Sequence, residues 1–143
     1  MAVTSTGSAT WNGSLTEGSG TARLATSGLG EFDIAWQARS EGSDGSTTPE
    51  ELLGAAHAAC FSMALSFTLG ERGFTAESID TSSAVTFQAG QGITGIVLTV
   101  AASVPGISAE EFAAIAEEVK SSCPVSAALA AVPMSLASAT LKG

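Results

Sequence analysis

Positively charged side chains are scarce in this chain. It has five Lys and Arg among 143 residues, against fourteen Asp and Glu, which gives a net charge of −9. So few cations form neither a cluster nor a stripe, and an acidic chain repels polyanions. The composition therefore argues against a nucleic-acid partner and against binding to anionic membrane surfaces.

Other features that the sequence lacks exclude further classes of protein and of site. No stretch approaches about 18 uninterrupted apolar residues, so we expect no segment to span a bilayer. The N-terminus shows no basic region or apolar run, so no signal peptide is expected and we predict a cytoplasmic protein. With one histidine no Ser-His-Asp set stands out, and no Gly-rich phosphate loop follows a strand. His57, Cys60 and Cys123 fall short of the usual four zinc ligands, so we expect no metal and no cofactor.

The chain has two cysteines, 63 positions apart, so only the fold can bring them together. In a cytosolic chain they are either buried bystanders or redox-active, because structural disulfides are rare there.

The pattern of apolar and turn residues predicts one α+β domain over residues 1–143. The predicted order is βββ-α-ββ-αα-β, with the helices grouped against an antiparallel sheet. Strands are predicted over residues 10–15, 21–26, 32–38, 78–88, 93–104 and 133–141. Helices are predicted from Pro49 to Gly70 or Gly73, from a Ser108 cap through Lys120, and from Cys123-Pro124 onward.

The long helix carries the first cysteine. Leu53, Ala56, Cys60, Met63 and Phe67 recur at spacings of three and four, so we expect Cys60 on the apolar face. Cys60 is then either a small buried core residue or a reactive thiol. Apolar surroundings raise a thiol pKa, and the helix dipole acts only near the termini, so a reactive Cys60 needs a nearby cation.

Three side chains could supply that cation. Arg39 ends the third predicted strand, just before the loop that leads to the helix, and it is permanently charged; a solvated strand end is the alternative. His57 lies three residues before Cys60 and could instead be a structural hydrogen-bonding residue. Arg23 lies within the second strand and fits an exposed face.

Glu50 stands in the first turn of the long helix, after Pro49 at the first helical position and Thr48 as the cap. It precedes Cys60 by ten residues, which is about 15 Å along one helix. If Glu50 acts with Arg39 at a thiol, we expect that thiol to belong to a second subunit. The alternative is a charge that only complements the helix dipole, worth about 0.3–1 kcal/mol.

The second cysteine occupies a different environment. Cys123 precedes Pro124 at a first helical position, where backbone N–H groups lack helical partners. Such an environment lowers a thiol pKa, and a low-pKa thiol is suited to resolving an oxidised cysteine.

At these residues the chain resembles the OsmC/Ohr family of organic hydroperoxide reductases, and within it the OsmC branch. The resemblance is carried by RSEG at 39–42, PEELLGAAHAACFSMALS at 49–66, GFT at 73–75, VPGI at 104–107 and CPVS at 123–126. The central block is specific, and His57-Ala58-Ala59 is similar to the OsmC branch. Two departures are Thr48, where the family usually has Asn, and a loop at Ser43–Thr48 that is one residue longer. Neither removes a chemical group.

The resemblance implies an intertwined homodimer, in which an antiparallel sheet wraps around two long central helices and two active sites lie at the interface. It implies a peroxidatic thiol at Cys60, a resolving thiol at Cys123, and Arg39 and Glu50 as the activating pair. The implied reaction reduces organic hydroperoxides through a Cys60 sulfenic acid and a Cys60–Cys123 disulfide, which a dithiol, a dihydrolipoyl group, reopens. Two other functions stay open: a non-catalytic dimeric ligand-binding protein with inert cysteines, and a thiol redox sensor.

Overall fold

The computed structural model describes residues 1–42 and 45–143, so Ser43 and Asp44, in the loop predicted to be longer, lie outside the described residues. The chain divides into two compact units, residues 1–52 and 53–143. Over the described residues, six strands form two three-stranded sheets and are accompanied by four helices. The α+β prediction is confirmed, and the assignment of a single domain stays a prediction.

The first unit begins with a meander of three short strands, as predicted. β1 (Ser8–Asn12), β2 (Ser19–Arg23) and β3 (Glu31–Ile34) pair antiparallel in chain order. Gly13 follows β1 with φ +93°, a conformation that only glycine adopts without strain, and so allows the tight turn into β2.

The chain becomes helical where the third strand was predicted to continue. α1 spans Trp36–Glu41, so the prediction of a strand to Ala38 is wrong. Arg39 accordingly lies in the last turn of a helix and not at a strand end. Gln, Ala, Arg and Glu are good helix formers, and the helix ends at Gly42 with φ +110°.

The long helix has the predicted bounds. α2 spans Pro49–Glu71, and the Oγ1 of Thr48 accepts a hydrogen bond from the N–H of Glu51 at 3.0 Å, which confirms the predicted cap. Gly73 lies just beyond the last turn with φ +86°. By length and composition alone α2 could cross a membrane, which is weak evidence because the core helix of a soluble protein passes the same test.

The buried face of α2 differs from the predicted one. The buried positions follow one another at spacings of three and four, and they are Gly54, His57, Phe61, Leu65 and Leu69. On the predicted face, Cys60 is half-buried, whereas Met63 and Phe67 are 71% and 69% exposed. Alanines occur on every side of α2, so the spacing of its apolar residues does not show which of its two apolar faces is buried.

The second unit is built on a long hairpin. β4 (Ser78–Gln88) pairs antiparallel with β5 (Gly92–Ser103), and β6 (Met134–Leu141) pairs with β5 in parallel. The antiparallel prediction is therefore wrong for β6. The connection from β5 to β6 contains α3 (Ala109–Ser122) and α4 (Pro124–Ala128), which is long enough for the crossover that a parallel pair requires.

One apolar core fills the second unit. It combines side chains of α2, α3 and β5, among them Phe61, Leu65, Leu69, Phe112, Ile115, Val119, Leu98 and Val100. Burying each large side chain contributes about 1.5–3 kcal/mol. Cys123 follows α3 directly and is fully buried in this core, so α3 determines its position.

Candidate active site

Arg39 and Glu50 form an ion pair within the first unit. The Nη2 and Nε of Arg39 both donate to Oε1 of Glu50, at 2.8 and 3.0 Å. The Glu50 side chain is 6% exposed and that of Arg39 is 31% exposed. The sequence predicted this pairing, and α1 and the first turn of α2 bring the two side chains together.

An apolar cavity of about 270 Å³ adjoins Arg39 in the same unit. Its lining residues are Trp11, Leu15, Ile34, Ala35, Trp36, Arg39 and Pro49. The cavity was not predicted from the sequence, because Trp36 and Arg39 join its lining only when the chain becomes helical at α1. The cavity offers apolar surface next to a cation.

Cys60 and Cys123 come together in the second unit. Both are free thiols, Cys60 half-buried on α2 and Cys123 fully buried between α3 and α4. Cys60 packs against the core that contains Cys123, and each thiol shifts the pKa of the other. The fold thus brings into contact two cysteines that the sequence separates widely, and it leaves the α2 thiol more accessible.

The surroundings shift the two thiols in opposite directions. Burial raises the pKa of Cys60, and the Cys123 thiol raises it further, although the backbone N–H of Val125 acts against this. Burial also opposes ionisation of Cys123, but hydrogen bonds from the Ser126 backbone, the Cys60 thiol, the Ser126 hydroxyl and the Val125 backbone outweigh it and lower the Cys123 pKa. The lowered pKa of Cys123 agrees with its predicted cap position.

His57 lies in the core of the second unit with a serine at each ring nitrogen. Its Nε2 is 2.7 Å from Oγ of Ser126, and its Nδ1 is 3.3 Å from Oγ of Ser83. Burial lowers the pKa of His57, so it is a neutral hydrogen-bonding group and not the cation that Cys60 requires. Sequence reasoning missed Ser83 and Ser126, although Ser126 closes the CPVS segment.

The four predicted residues thus form two pairs, Arg39 with Glu50 and Cys60 with Cys123. That both pairs act at one site stays a prediction. Among residues 1–42 and 45–143, no group of three or more His, Cys, Asp or Glu side chains is arranged to hold a metal ion.

Comparisons with known proteins agree on one family. The family described as OsmC-like protein matches residues 42–137. Peroxiredoxin OsmC of Escherichia coli strain K12 is 46% identical over 134 residues, which are 92% of this chain and 93% of that protein.

Solved structures share the fold. The organic hydroperoxide resistance protein OsmC from Legionella pneumophila is 25% identical with a TM-score of 0.68, over 96% of this chain and 97% of that one. The OsmC like protein from Mycoplasma pneumoniae, at 16% identity, has a TM-score of 0.72 over 99% and 100% of the two chains. The chain therefore belongs to the family of OsmC-like proteins, on its OsmC branch.

Proposed function

We propose that this chain reduces organic hydroperoxides to alcohols, with Cys60 as the peroxidatic thiol and Cys123 as the resolving thiol. The broader statement, a cysteine-based peroxidase, follows from the 46% identity to a protein named Peroxiredoxin OsmC over most of both chains. The observation that supports the specific roles is the contact between a half-buried and a fully buried thiol.

The proposed reaction has three steps. The Cys60 thiolate attacks the O–O bond, becomes a sulfenic acid and releases an alkoxide, which takes up a proton to form the alcohol. The Cys123 thiolate then attacks the Cys60 sulfur, forming the disulfide while hydroxide leaves and is protonated to water. A dithiol reduces the disulfide by exchange and is itself oxidised to a disulfide. A dihydrolipoyl group is the reductant that we propose.

The first step requires a cation near Cys60. Burial and Cys123 raise the pKa of Cys60, so a cation must favour its thiolate. We assign that role to Arg39, held by Glu50. Because Glu50 lies about 15 Å from Cys60 along α2, the Arg39–Glu50 pair of one protomer would serve the thiols of the other.

An apolar face of α2 supports a homodimer of this kind. Met63 and Phe67 are largely exposed on the side of the helix that also carries Cys60. Exposed patches of large apolar side chains mark interaction surfaces. The same face of a second α2 is equally apolar and equally long, so it could cover this one. We propose that the dimer works in the cytoplasm, where a reducing environment keeps both thiols free between turnovers.

The cavity beside Arg39 supports the proposed substrate class. An aryl or alkyl group that buries about 100 Å² there would gain about 2.5 kcal/mol of transfer free energy relative to hydrogen peroxide. Binding costs reduce that gain. The cavity is therefore suited to a hydroperoxide with a hydrocarbon group.

The test is steady-state consumption of cumene hydroperoxide and of hydrogen peroxide, each with a lipoyl dithiol or a monothiol as the reductant. We expect a higher kcat/KM for cumene hydroperoxide and efficient turnover only with the dithiol. Equal kcat/KM values for the two peroxides would show that the cavity does not select organic hydroperoxides. A single stoichiometric oxidation without turnover would instead identify a redox sensor, and no reaction at all would favour a ligand-binding protein.

A further inference from the structure

Hydrogen bonds in the second unit lead from β4 through His57 to Ser126, which lies three residues after the resolving thiol Cys123. His57 contacts Ser83 through Nδ1 and Ser126 through Nε2. Ser126 is itself buried in the first turn of α4, three residues after Cys123, and its hydroxyl favours the Cys123 thiolate and so lowers the pKa of that thiol. Ser83, His57, Ser126 and Cys123 therefore form one connected series, to which the proposed reaction assigns no role beyond its last member.

A count of protons gives this series a direction. A Cys123 thiolate has no proton, so the Ser126 hydroxyl must donate its single proton to the sulfur. The Ser126 oxygen can then only accept from His57, so Nε2 must carry the ring N–H. A neutral imidazole has one such N–H, hence Nδ1 accepts and the Ser83 hydroxyl donates to it. Burial keeps His57 neutral by lowering its pKa.

We propose that His57 is a positioning residue for Cys123, because its Nε2–H holds the Ser126 oxygen so that the Ser126 hydroxyl donates to the Cys123 sulfur. Its use in catalysis rests on the proposed function. A stabilised Cys123 thiolate is ready to attack the Cys60 sulfenic acid, forming the S–S bond as hydroxide leaves. It is also the better leaving group when the dithiol bonds to the Cys60 sulfur and the electron pair of the S–S bond remains on Cys123.

The fold holds the series in place on both sides. A Cβ at Gly54 would lie 2.6 Å from the carbonyl oxygen of Ser83, so glycine allows α2 to approach β4 one turn before His57. Cys60 on α2 packs against the core that contains Cys123 and lowers the pKa of that thiol. On α3, Lys120 lines a cavity of about 480 Å³ with Ser126, and its Nζ is 2.6 Å from Oε1 of Glu117.

The composition of the chain allows the titration of Cys123 to be measured directly. With two cysteines and no tyrosine, a Cys60→Ser protein has Cys123 as its only thiol, and no tyrosinate interferes with the ultraviolet absorbance of the thiolate. In that background, Ser126→Ala and His57→Leu should each raise the Cys123 titration midpoint by about one pH unit or more, since a hydrogen bond to the charged form is lost. His57→Gln keeps an N–H donor and should restore part of the shift.

The matched control is Ser62→Ala. Ser62 also lies on α2 and also bonds to β4, with its Oγ 2.8 Å from Oγ1 of Thr81, but it has no part in the series. It should leave the Cys123 midpoint unchanged. An unchanged midpoint in Ser126→Ala would overturn the proposal.

A second measurement needs no substitution. The chain has one histidine, so nitrogen-15 NMR of the imidazole shows a single residue. At a pH above the Cys123 titration midpoint we expect a neutral ring protonated at Nε2. Protonation at Nδ1 at that pH would overturn the proposal, because Ser126 would then donate to His57 and not to Cys123. Neither measurement uses peroxide, so failure of the peroxidase assay and failure of this inference are separate outcomes.

Discussion

The Oε1 atom of Glu50 accepts from two nitrogens of Arg39, Nη2 at 2.8 Å and Nε at 3.0 Å, within one chain. The geometry differs from the fork in which each carboxylate oxygen takes one donor. Because the pair forms between α1 and the first turn of α2 within one chain, no second subunit is needed to hold the guanidinium against Glu50.

Loss of the Arg39 charge should weaken ionisation of Cys60. In a Cys123→Ser background, Arg39→Ala should raise the Cys60 titration midpoint by about one pH unit or more, where each unit is about 1.4 kcal/mol. Arg39→Lys should restore only part, because an ammonium lacks the planar fork. Arg23→Ala is the control, because Arg23 forms an exposed ion pair with Glu31 at 2.9 Å and the substitution removes the same charge elsewhere. If both alanine variants shift the Cys60 midpoint equally, the shift comes from the change in net charge and not from the position of Arg39.

Mixed dimers should reveal whether the site is shared. If the Arg39–Glu50 pair serves the thiols of the other protomer, a dimer of one Glu50→Ala chain with one Cys60→Ser chain has both lesions in one site and leaves the other intact. About half of the wild-type activity should then survive. A nearly inactive mixed dimer would show that each site is built within one chain.

Substitution of each of the two thiols should have a different effect on the reaction with peroxide. Cys60→Ser should abolish the reaction with peroxide, whereas Cys123→Ser should react once and then over-oxidise, because no second thiol traps the sulfenic acid. Mass spectrometry after one equivalent of cumene hydroperoxide distinguishes them. A sulfenic acid on Cys123 in the Cys60→Ser protein would reverse the two roles, an outcome that the lower pKa of Cys123 makes worth testing.

The contact between α2 and β4 depends on a missing side chain. Gly54→Ala would place a Cβ 2.6 Å from the Ser83 carbonyl, so we expect a loss of about 1–3 kcal/mol in unfolding free energy. Gly70→Ala, on the same helix with open space around it, should be neutral or gain up to about 1 kcal/mol. Denaturant titrations measure both, and equal effects would contradict the close contact.

The stability of the fold should fall as the pH drops below the pKa of a free imidazole. Burial lowers the folded-state pKa of His57 below its ordinary value of 6.5, so the unfolded chain binds the proton first. Stability from this residue is therefore complete above pH 6.5 and declines from there down to the folded-state pKa, by at most about 1.4 kcal/mol per pH unit. His57→Gln should remove this slope between pH 7 and 5.5, relative to the wild type. Parallel curves for the two proteins would show that the fold does not lower the pKa of His57.

Local patterns determined much of the molecule. The Thr48 cap and Pro49 defined where α2 begins, and the alternating runs at 78–88 and 93–104 defined the β4–β5 hairpin, because capping and period-two alternation act between near neighbours. The motif around Cys60 indicated the family, and CPVS placed Cys123 at a helix cap.

Tertiary structure decided what those patterns left ambiguous. An alanine-rich α2 is apolar on both sides, so only packing determined that the His57 face enters the core while Met63 and Phe67 remain outside. The parallel direction of β6 depended on a crossover through two helices. His57 meets Ser126 across 69 residues, and a contact of that kind depends on how the helices pack on the sheet, which no local spacing encodes.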